Sequence, residues 1–420
     1  MTSGFGGKQL AVIGGNTVME EVRQFADKTG LKVIAVAKSP LSPVHRFSDE
    51  PCYADSTDPE IMLSLLKEKK IDAVLAVSGE KILRKAVDWI FQSSYRYYST
   101  KEQWDILMNK RRFKEYSRMF GLPVIPEYPV DTSLKDIPGD VGFPVIIKPA
   151  DNGGSSGISI CRQPSELRDA VSFALENSQT QEIMCEKYLE GPFFQFEIWV
   201  RDGQAFFPYV KERISYPSLG NHPVQPFVDF YPSSVRSLVA DSLFDGIRRL
   251  FSSLGILNGS CMFQGIICDG IPYIMDTGFR TSGGLDFKII AEEKKVDLIE
   301  AHILYALTGK FGENFSALRE PFRSSYASLC IGLKNGTIAH IEGLDSIKAL
   351  PCVFNMYQYY KENDYMKSSG TFSQTAFRIF LKDESRELLQ KDIIRICQML
   401  HVENNNGESM LLPFPALSSL

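Results

Sequence analysis

Phe143-Pro144-Val145-Ile146-Ile147-Lys148-Pro149-Ala150-Asp151-Asn152-Gly153-Gly154-Ser155-Ser156-Gly157 is a buried-strand run that reaches a lysine and then enters a glycine- and serine-rich turn. Glycines let backbone N–H groups approach an anion closely, and serine hydroxyls add donors, so a phosphate chain is the natural guest. The lysine precedes the loop, and strand alternation resumes at Ile158-Ser159-Ile160, so this is not a loop that opens a helix in the Walker manner. It reads as a β-hairpin flap with Lys148 at its base. A plain surface hairpin has the same local chemistry, and the flanking sequence has to separate the two.

Upstream, Gln103 to Phe120 has helical periodicity in Trp104, Leu107, Met108, Tyr116 and Met119, and carries the basic run Asn109-Lys110-Arg111-Arg112-Phe113-Lys114. Gly121 and Pro123 stop it. Before that helix, continuous apolar runs at Leu10 to Ile13, Leu31 to Ala37 and Ile71 to Val77 alternate with helical stretches, with Gly30 as a C-cap. Such βα repetition predicts a parallel sheet covered on both faces.

Downstream, Pro164 to Asn177 is helical with Ser165 as N-cap, and strands are expected at Ile183 to Tyr188, Phe194 to Val200 and Gln204 to Val210. Lys211, Arg213 and His222 follow the last of these as groups for an anion. Cys185-Glu186-Lys187-Tyr188-Leu189-Glu190-Gly191 is a strand ending in a bend, where exposed backbone groups suit an adenine edge and carboxylates suit ribose hydroxyls. Val235 to Leu254 is helical. Gln264 and Asp276 are the polar residues of two apolar strands joined through Cys268-Asp269-Gly270. A two-residue Asp-Gly turn would put them on opposite faces; a three-residue loop with a bulge would put them on one face as diagonal neighbours. In the second case they can share Mg²⁺ with a triphosphate, since Mg²⁺ takes one or two protein oxygens plus phosphate and water. Gly278-Phe279-Arg280-Thr281-Ser282-Gly283-Gly284 then offers a guanidinium for developing negative charge.

The chain has 420 residues, 44% hydrophobic and 23% charged, enough for two or three full cores. Its net charge of -5 argues against a nucleic-acid partner or an anionic membrane surface. The first residues show no signal-peptide pattern, and no apolar run approaches bilayer length. The 8 cysteines are scattered without C-x-x-C pairs, as in a reducing compartment, so a cytoplasmic location is expected.

The ordered set Lys110, Ile147-Lys148-Pro149 with its loop, Glu186 to Gly191, Gln264, and Asp276 to Arg280 with Gly283-Gly284 resembles the ATP-grasp superfamily. It is most similar to the carboxylate–amine ligase branch, which includes carbamoyl-phosphate synthase large subunits, biotin carboxylase and L-amino-acid ligases. The resemblance implies an α/β and α+β architecture. A Rossmann-like pre-ATP-grasp domain would span 1–104, with Ser78-Gly79-Glu80 in its family position. An ATP-grasp domain would span 105–315 with its lid at about 123–190, and a C-terminal lobe 316–420. It implies ATP and Mg²⁺ as cofactors and small carboxylate and amine substrates, joined through an acyl-phosphate with release of ADP and phosphate. A homodimer is also implied, relatives often being dimers.

By the same resemblance, Lys110, Lys148 and Lys211 would contact nucleotide, and Gly153, Gly154, Ser155, Ser156 and Gly157 would cover its phosphates. Glu186, Lys187, Tyr188 and Leu189 would hold adenine, and Gln195 and Glu197 would contact or support the ribose. Gln264 and Asp276 would bind magnesium, and Arg280 and Lys148 would be catalytic. The chain departs from the family's Glu-x-Asn-x-Arg pattern in having Asp276-Thr277-Gly278-Phe279-Arg280. The alternative is therefore a nucleotide-binding relative without ligase turnover, acting as sensor or assembly partner. A nicotinamide-dependent oxidoreductase fits less well: Gly14-Gly15-Asn16 lacks G-x-G-x-x-G spacing, and Val36-Ala37-Lys38 supplies no acid for a ribose.

Overall fold

The computed structural model describes residues 4–415 except 15–16, 78, 131–140, 152–156, 218–224, 313–314 and 368–373. The first apolar runs pair as expected for strands buried on both faces: Gln9–Ile13 lies parallel between Lys32–Val36 and Ala73–Leu75, and Glu50–Cys52 adds parallel to Lys32–Val36. The right of this sheet is packed by the helix Glu80–Gln92, whose Trp89 is fully buried and donates to the Ser56 carbonyl at 3.1 Å. Gly30 is in the left-handed conformation and ends the helix Met19–Thr29.

The single helix expected over 103–120 is two helices, Lys101–Met108 and Lys110–Met119, broken at Asn109. Asn109 has extended backbone, and its side chain accepts from the Arg112 amide at 3.1 Å. An asparagine able to cap both ends of such a joint outweighs the unbroken apolar periodicity. The break makes Lys110 the first residue of the second helix, and its amide donates to the Ala150 carbonyl at the end of the lysine-bearing strand. Ser165 is likewise not the N-cap expected: Pro164–Glu166 form one 3₁₀ turn, followed by the helix Leu167–Glu176.

Among the described residues two antiparallel sheets that bear on the site follow, besides a three-stranded one of Gly336–Glu342, Tyr365–Met366 and His401–Asn404. The smaller runs in the order Glu127–Tyr128, Ile183–Lys187, Val145–Pro149, Ser159–Cys161, with helix Leu167–Glu176 packed on it. The larger has nine strands, from Ile271–Gly278 at one edge to Val353–Gln358 at the other. It is continuous across position 315, because Pro226–Tyr231 pairs with Ser325–Gly332. The last hundred residues thus extend the same sheet and cover it with the helix Arg386–Met399, which is N-capped by Ser385.

Lys211 and Arg213 lie within a strand, Val210–Ser215, separate from Gln204–Phe206. Among the described residues no helix is long and apolar enough to cross a membrane.

Candidate active site

Sheet register builds the site. Gly259–Cys268 and Ile271–Gly278 turn through the two residues Asp269 and Gly270, both at positive φ, and Cys268 pairs with Ile271. The three-residue loop on which the shared-face argument depended is absent. A register shift between Gln264 and Gly265 has the same effect: Gln264 faces Asp276, Gly265 faces Ile274, and Met275 is the extra residue. Directly opposed residues share a face at about 4.5–5.5 Å between Cα atoms. The bulge also points the Met275 carbonyl at Lys148, whose Nζ is 3.4 Å away.

The row continues across the sheet. Gln264 pairs with Gln195, and Gln195 with Lys211, so Asp276, Gln264, Gln195 and Lys211 form one polar line over four strands. The intervening residues Phe194, Phe196, Val210 and Phe263 are fully buried on the other face. Gln264 donates its amide to Gln195 Oε1 at 3.1 Å, which directs its own carbonyl oxygen elsewhere. Asp276 accepts from the Thr277 amide at 2.9 Å and lies 3.2 Å from Lys110 Nζ. A carboxylate beside an amide oxygen on one face, with two lysines near, fits the hard-oxygen donor set that Mg²⁺ takes alongside phosphate. Among the described residues no group of three or more His, Cys, Asp or Glu could hold a metal by itself.

The small sheet brings Lys148, whose Nζ is 2.8 Å from Glu186 Oε1. Glu186 is buried and meets a second ammonium, Lys114, at 2.5 Å. Burial raises its pKa, but Lys148 and Lys114 outweigh that and hold it below the usual carboxylate range. The Glu186 side chain is therefore committed to Lys148 and Lys114. Lys187 is exposed, Tyr188 half-buried and Leu189 buried; the Lys187 and Tyr188 amides donate to the Pro126 and Pro144 carbonyls. Gly153, Gly154, Ser155 and Ser156 lie outside the described residues, as does His222. Gly157 has φ +78°, and a Cβ there would come within 2.7 Å of the Asn177 Cβ and 2.8 Å of the Pro149 ring. Only glycine closes the hairpin onto its base.

Arg280 is met from the helix Glu80–Gln92. Its Nη2 lies 2.5 Å from Glu80 Oε2, and its Nη1 donates to the Thr281 carbonyl at 3.0 Å. Glu80 also receives Arg84 at 2.8 Å, one helical turn on. Burial raises the Glu80 pKa, but Arg280, Arg84 and Lys110 together hold it far below the ordinary value. Sequence reading placed Glu80 only within a motif and gave it no role. Its i, i+4 spacing with Arg84 was the available signal.

Three residues expected at the nucleotide are placed differently. Lys211 is fully buried, 2.7 Å from Asp286 and 3.0 Å from Asp229, so its ammonium is held by two carboxylates rather than presented to a phosphate. Gln195 donates to Ser282 Oγ at 2.8 Å and Asp286 Oδ2 at 3.1 Å. Glu197 accepts from Trp199 Nε1 at 2.9 Å and from the Ser282 amide at 2.6 Å. Burial, with Asp286 nearby, pushes Glu197 up to about 7. Both brace the loop after Arg280, and neither side chain is open to a ribose.

Beneath the same loop, His302 Nε2 lies 3.0 Å from Thr281 Oγ1 and 3.2 Å from Ser260 Oγ. Burial pulls its pKa from 6.5 to about 3, so the folded protein keeps it neutral where the unfolded chain protonates. The stability this contributes is whole above pH 6.5 and is lost as pH falls toward 3, at about 1.4 kcal/mol per pH unit. Denaturant midpoints should therefore fall with acid across that window more steeply in the wild type than in His302→Gln. Parallel slopes would remove His302 as the cause.

The architecture is that of the ATP-grasp proteins. The family model described as carbamoyl-phosphate synthase L chain, ATP binding domain, matches residues 109–205, which hold Lys110, Lys114, Lys148 and Glu186. Among curated relatives, the carbamoyl phosphate synthase large chain of Saccharolobus islandicus is 24% identical over 268 residues, 63% of this chain and 25% of that one. The chain thus spans about half or less of the length of the curated relatives it matches first. Among solved structures, the L-amino acid ligase from Bacillus licheniformis superposes with a TM-score of 0.78 at 19% identity, covering 95% of this chain and 99% of that one. The biotin carboxylase domain dimer of Hydrogenobacter thermophilus 2-oxoglutarate carboxylase, in complex with MgADP, ADP and bicarbonate, superposes at 0.70 and 16% identity, covering 94% and 90%.

Proposed function

We propose that this chain is an ATP-dependent carboxylate–amine ligase acting on a small acid or amino acid through an acyl-phosphate, with ADP and phosphate as co-products. The carrying observation is that three elements adjoin: Lys148 of the small sheet reaches the Met275 carbonyl beside Asp276, Asp276 lies opposite Gln264 and 3.2 Å from Lys110, and Arg280, four residues on, is held by Glu80 of the helix Glu80–Gln92. Carboxylates are poor electrophiles, and a γ-phosphoryl group makes the acyl carbon attackable. Most catalysis of phosphoryl transfer is positioning and neutralisation of charge, which these groups supply without a histidine or cysteine nucleophile.

In this reading Lys110 and Lys148 bind the phosphates. Bound Mg²⁺ would be held by Asp276 and Gln264 and would neutralise phosphate charge. Arg280 steadies the oxygens of the transferring group. The amine substrate then displaces phosphate. The matched family model and the fold shared with an L-amino acid ligase support this class. The substrates are small molecules, and a homodimer is proposed from the same likeness.

The test is phosphate release from ATP with pooled acids and amines. Stimulated release is expected in the wild type and should fall by at least about a hundredfold in Lys148→Ala. Tight nucleotide binding with no stimulated release under any acid–amine pair would favour instead a nucleotide-binding relative without turnover, the reading to which Gly278 points.

A further inference from the structure

Lys114 follows Lys110 by one helical turn and is almost wholly buried. Its ammonium donates to Glu186 Oε1 at 2.5 Å and to the Ile125 carbonyl at 3.1 Å, and lies 3.8 Å from Glu127. Lys148 shares the same oxygen of Glu186 at 2.8 Å. One buried carboxylate therefore has two cations, and they differ in attachment. Lys114 is tied on its far side to the segment 125–127. Lys148 stands near the end of the strand Val145–Pro149, and among the described residues it also donates to the bulge carbonyl of Met275 beside Asp276.

Consider what a phosphate asks of this arrangement. Lys148 gives one of its three donors to Glu186 and one to the Met275 carbonyl, so turning fully to a phosphate draws it away from Glu186. A buried carboxylate left without a counter-charge is strongly unfavourable, so with Lys148 as sole partner the nucleotide would have to overcome that loss. With Lys114 in place, Glu186 keeps an ion pair and a hydrogen bond after Lys148 departs. Burial draws Lys114 down to about 8 even with Glu186 beside it, which marks how little solvent stabilises this ammonium and how much it depends on the pair.

We propose that Lys114 is a positioning residue for the nucleotide site: the standing counter-cation of Glu186, which releases Lys148 to the phosphates. The inference rests on the reading that Lys148 binds phosphate.

The experiment is equilibrium binding of a non-hydrolysable ATP analogue with Mg²⁺ to the full chain, by calorimetry. Lys114→Met should weaken binding by roughly tenfold or more, because Lys148 then stays on Glu186. Lys114→Arg, which keeps the cation, should rescue most of that loss. The pair Lys114→Met with Glu186→Gln removes the carboxylate that would hold Lys148 and leaves that ammonium without its ion-pair partner, so it should bind phosphate more tightly than Lys114→Met alone. A merely structural lysine would give the opposite order, the double substitution binding no better than the single. Should Lys114→Met fail to fold, the neutral pair carries the test, and it must bind at least roughly tenfold more tightly than Lys148→Ala. Wild-type affinity in folded Lys114→Met, or no recovery in the pair, overturns the inference while leaving the nucleotide reading intact. No analogue binding by the wild type overturns both.

Discussion

Arg280→Ala should lower substrate-stimulated phosphate release by about a hundredfold to a thousandfold while leaving nucleotide affinity within a few-fold of wild type. The guanidinium is placed for charge that develops during transfer rather than for the ground-state nucleotide. One nitrogen is on Glu80, another on the Thr281 carbonyl, and Nε is buried without a hydrogen-bond partner. That leaves a fixed, dry donor whose orientation is already set before any oxygen arrives. Its support comes from far along the sequence: the Glu80 carboxylate with Arg84 behind it, Tyr98 donating to the Phe279 carbonyl at 2.8 Å, and His302 under Thr281. Glu80→Gln keeps a hydrogen bond and removes the charge, so it should fall between wild type and Arg280→Ala in rate. Single-turnover phosphate release and analogue binding measured on the same samples separate the two effects. Equal losses in binding and rate would make Arg280 a nucleotide-binding group, and an unchanged rate would remove it from the site.

How much of this was legible follows the range of each interaction. Strand and helix periodicities are local, so the parallel sheet of the first hundred residues and the Gly30 cap could be read directly. The ATP-grasp resemblance depended on the order of short motifs along the chain, and the fold agrees with it. Asn109 shows where periodicity misleads: the apolar spacing of 103–120 is continuous, yet one capping side chain splits the helix and re-aims Lys110. The hairpin shows the reverse. Counting turn residues gave two outcomes, and neither included a bulge at Met275, which a two-residue turn requires before Gln264 can face Asp276.

What the sequence did not disclose is mostly long-range pairing of charge. Glu80 and Arg280 are 200 positions apart, and Lys211 and Asp286 are 75 apart. A lysine followed by a basic or acidic residue reads the same whether it faces solvent or two buried carboxylates. Lys211 was expected at the nucleotide from the resemblance alone, and Lys114 was read only as one member of the basic run 109–114. Both are buried because acids distant in sequence make burial tolerable: Asp229 on a neighbouring strand and Asp286 at the start of the helix Asp286–Lys294 for one, Glu186 for the other. The polar row itself has a physical logic. Alternation along each strand puts phenylalanines on one face, and the polar face is then filled by a network in which nearly every atom has a partner, since unpaired polar groups there would be costly.

Asp276→Asn should raise the magnesium concentration needed for half-maximal activity by about tenfold to a hundredfold, with a smaller change in maximal rate once magnesium is saturating. Asp276 and Gln264 are the oxygen donors that sheet register sets directly opposite each other, and Gln264 is neutral, so Asp276 carries the only formal negative charge of the pair. Lys110 at 3.2 Å already balances part of that charge, so the asparagine variant would leave an ammonium and neutral amide oxygens, with no carboxylate of the pair to offset a divalent cation. Direct Mn²⁺ binding by electron paramagnetic resonance, with the non-hydrolysable analogue present, provides a readout apart from turnover. The variant should lose affinity there too. Gly278 supplies the complementary experiment. A Cβ at this position would meet Met262 Cε at 3.5 Å and Arg280 Cγ at 3.6 Å, both ordinary contacts, so Gly278→Asn can be accommodated without moving the strand. Gly278 pairs with Met262, one row beyond Gln264 and Asp276 on the same face, which puts a new amide oxygen beside the donors already there. Tighter Mn²⁺ binding in Gly278→Asn together with weaker binding in Asp276→Asn locates the metal on this edge of the sheet. Unchanged titrations in both variants would place it elsewhere, and the row of polar residues would then serve only to hold the Arg280 loop.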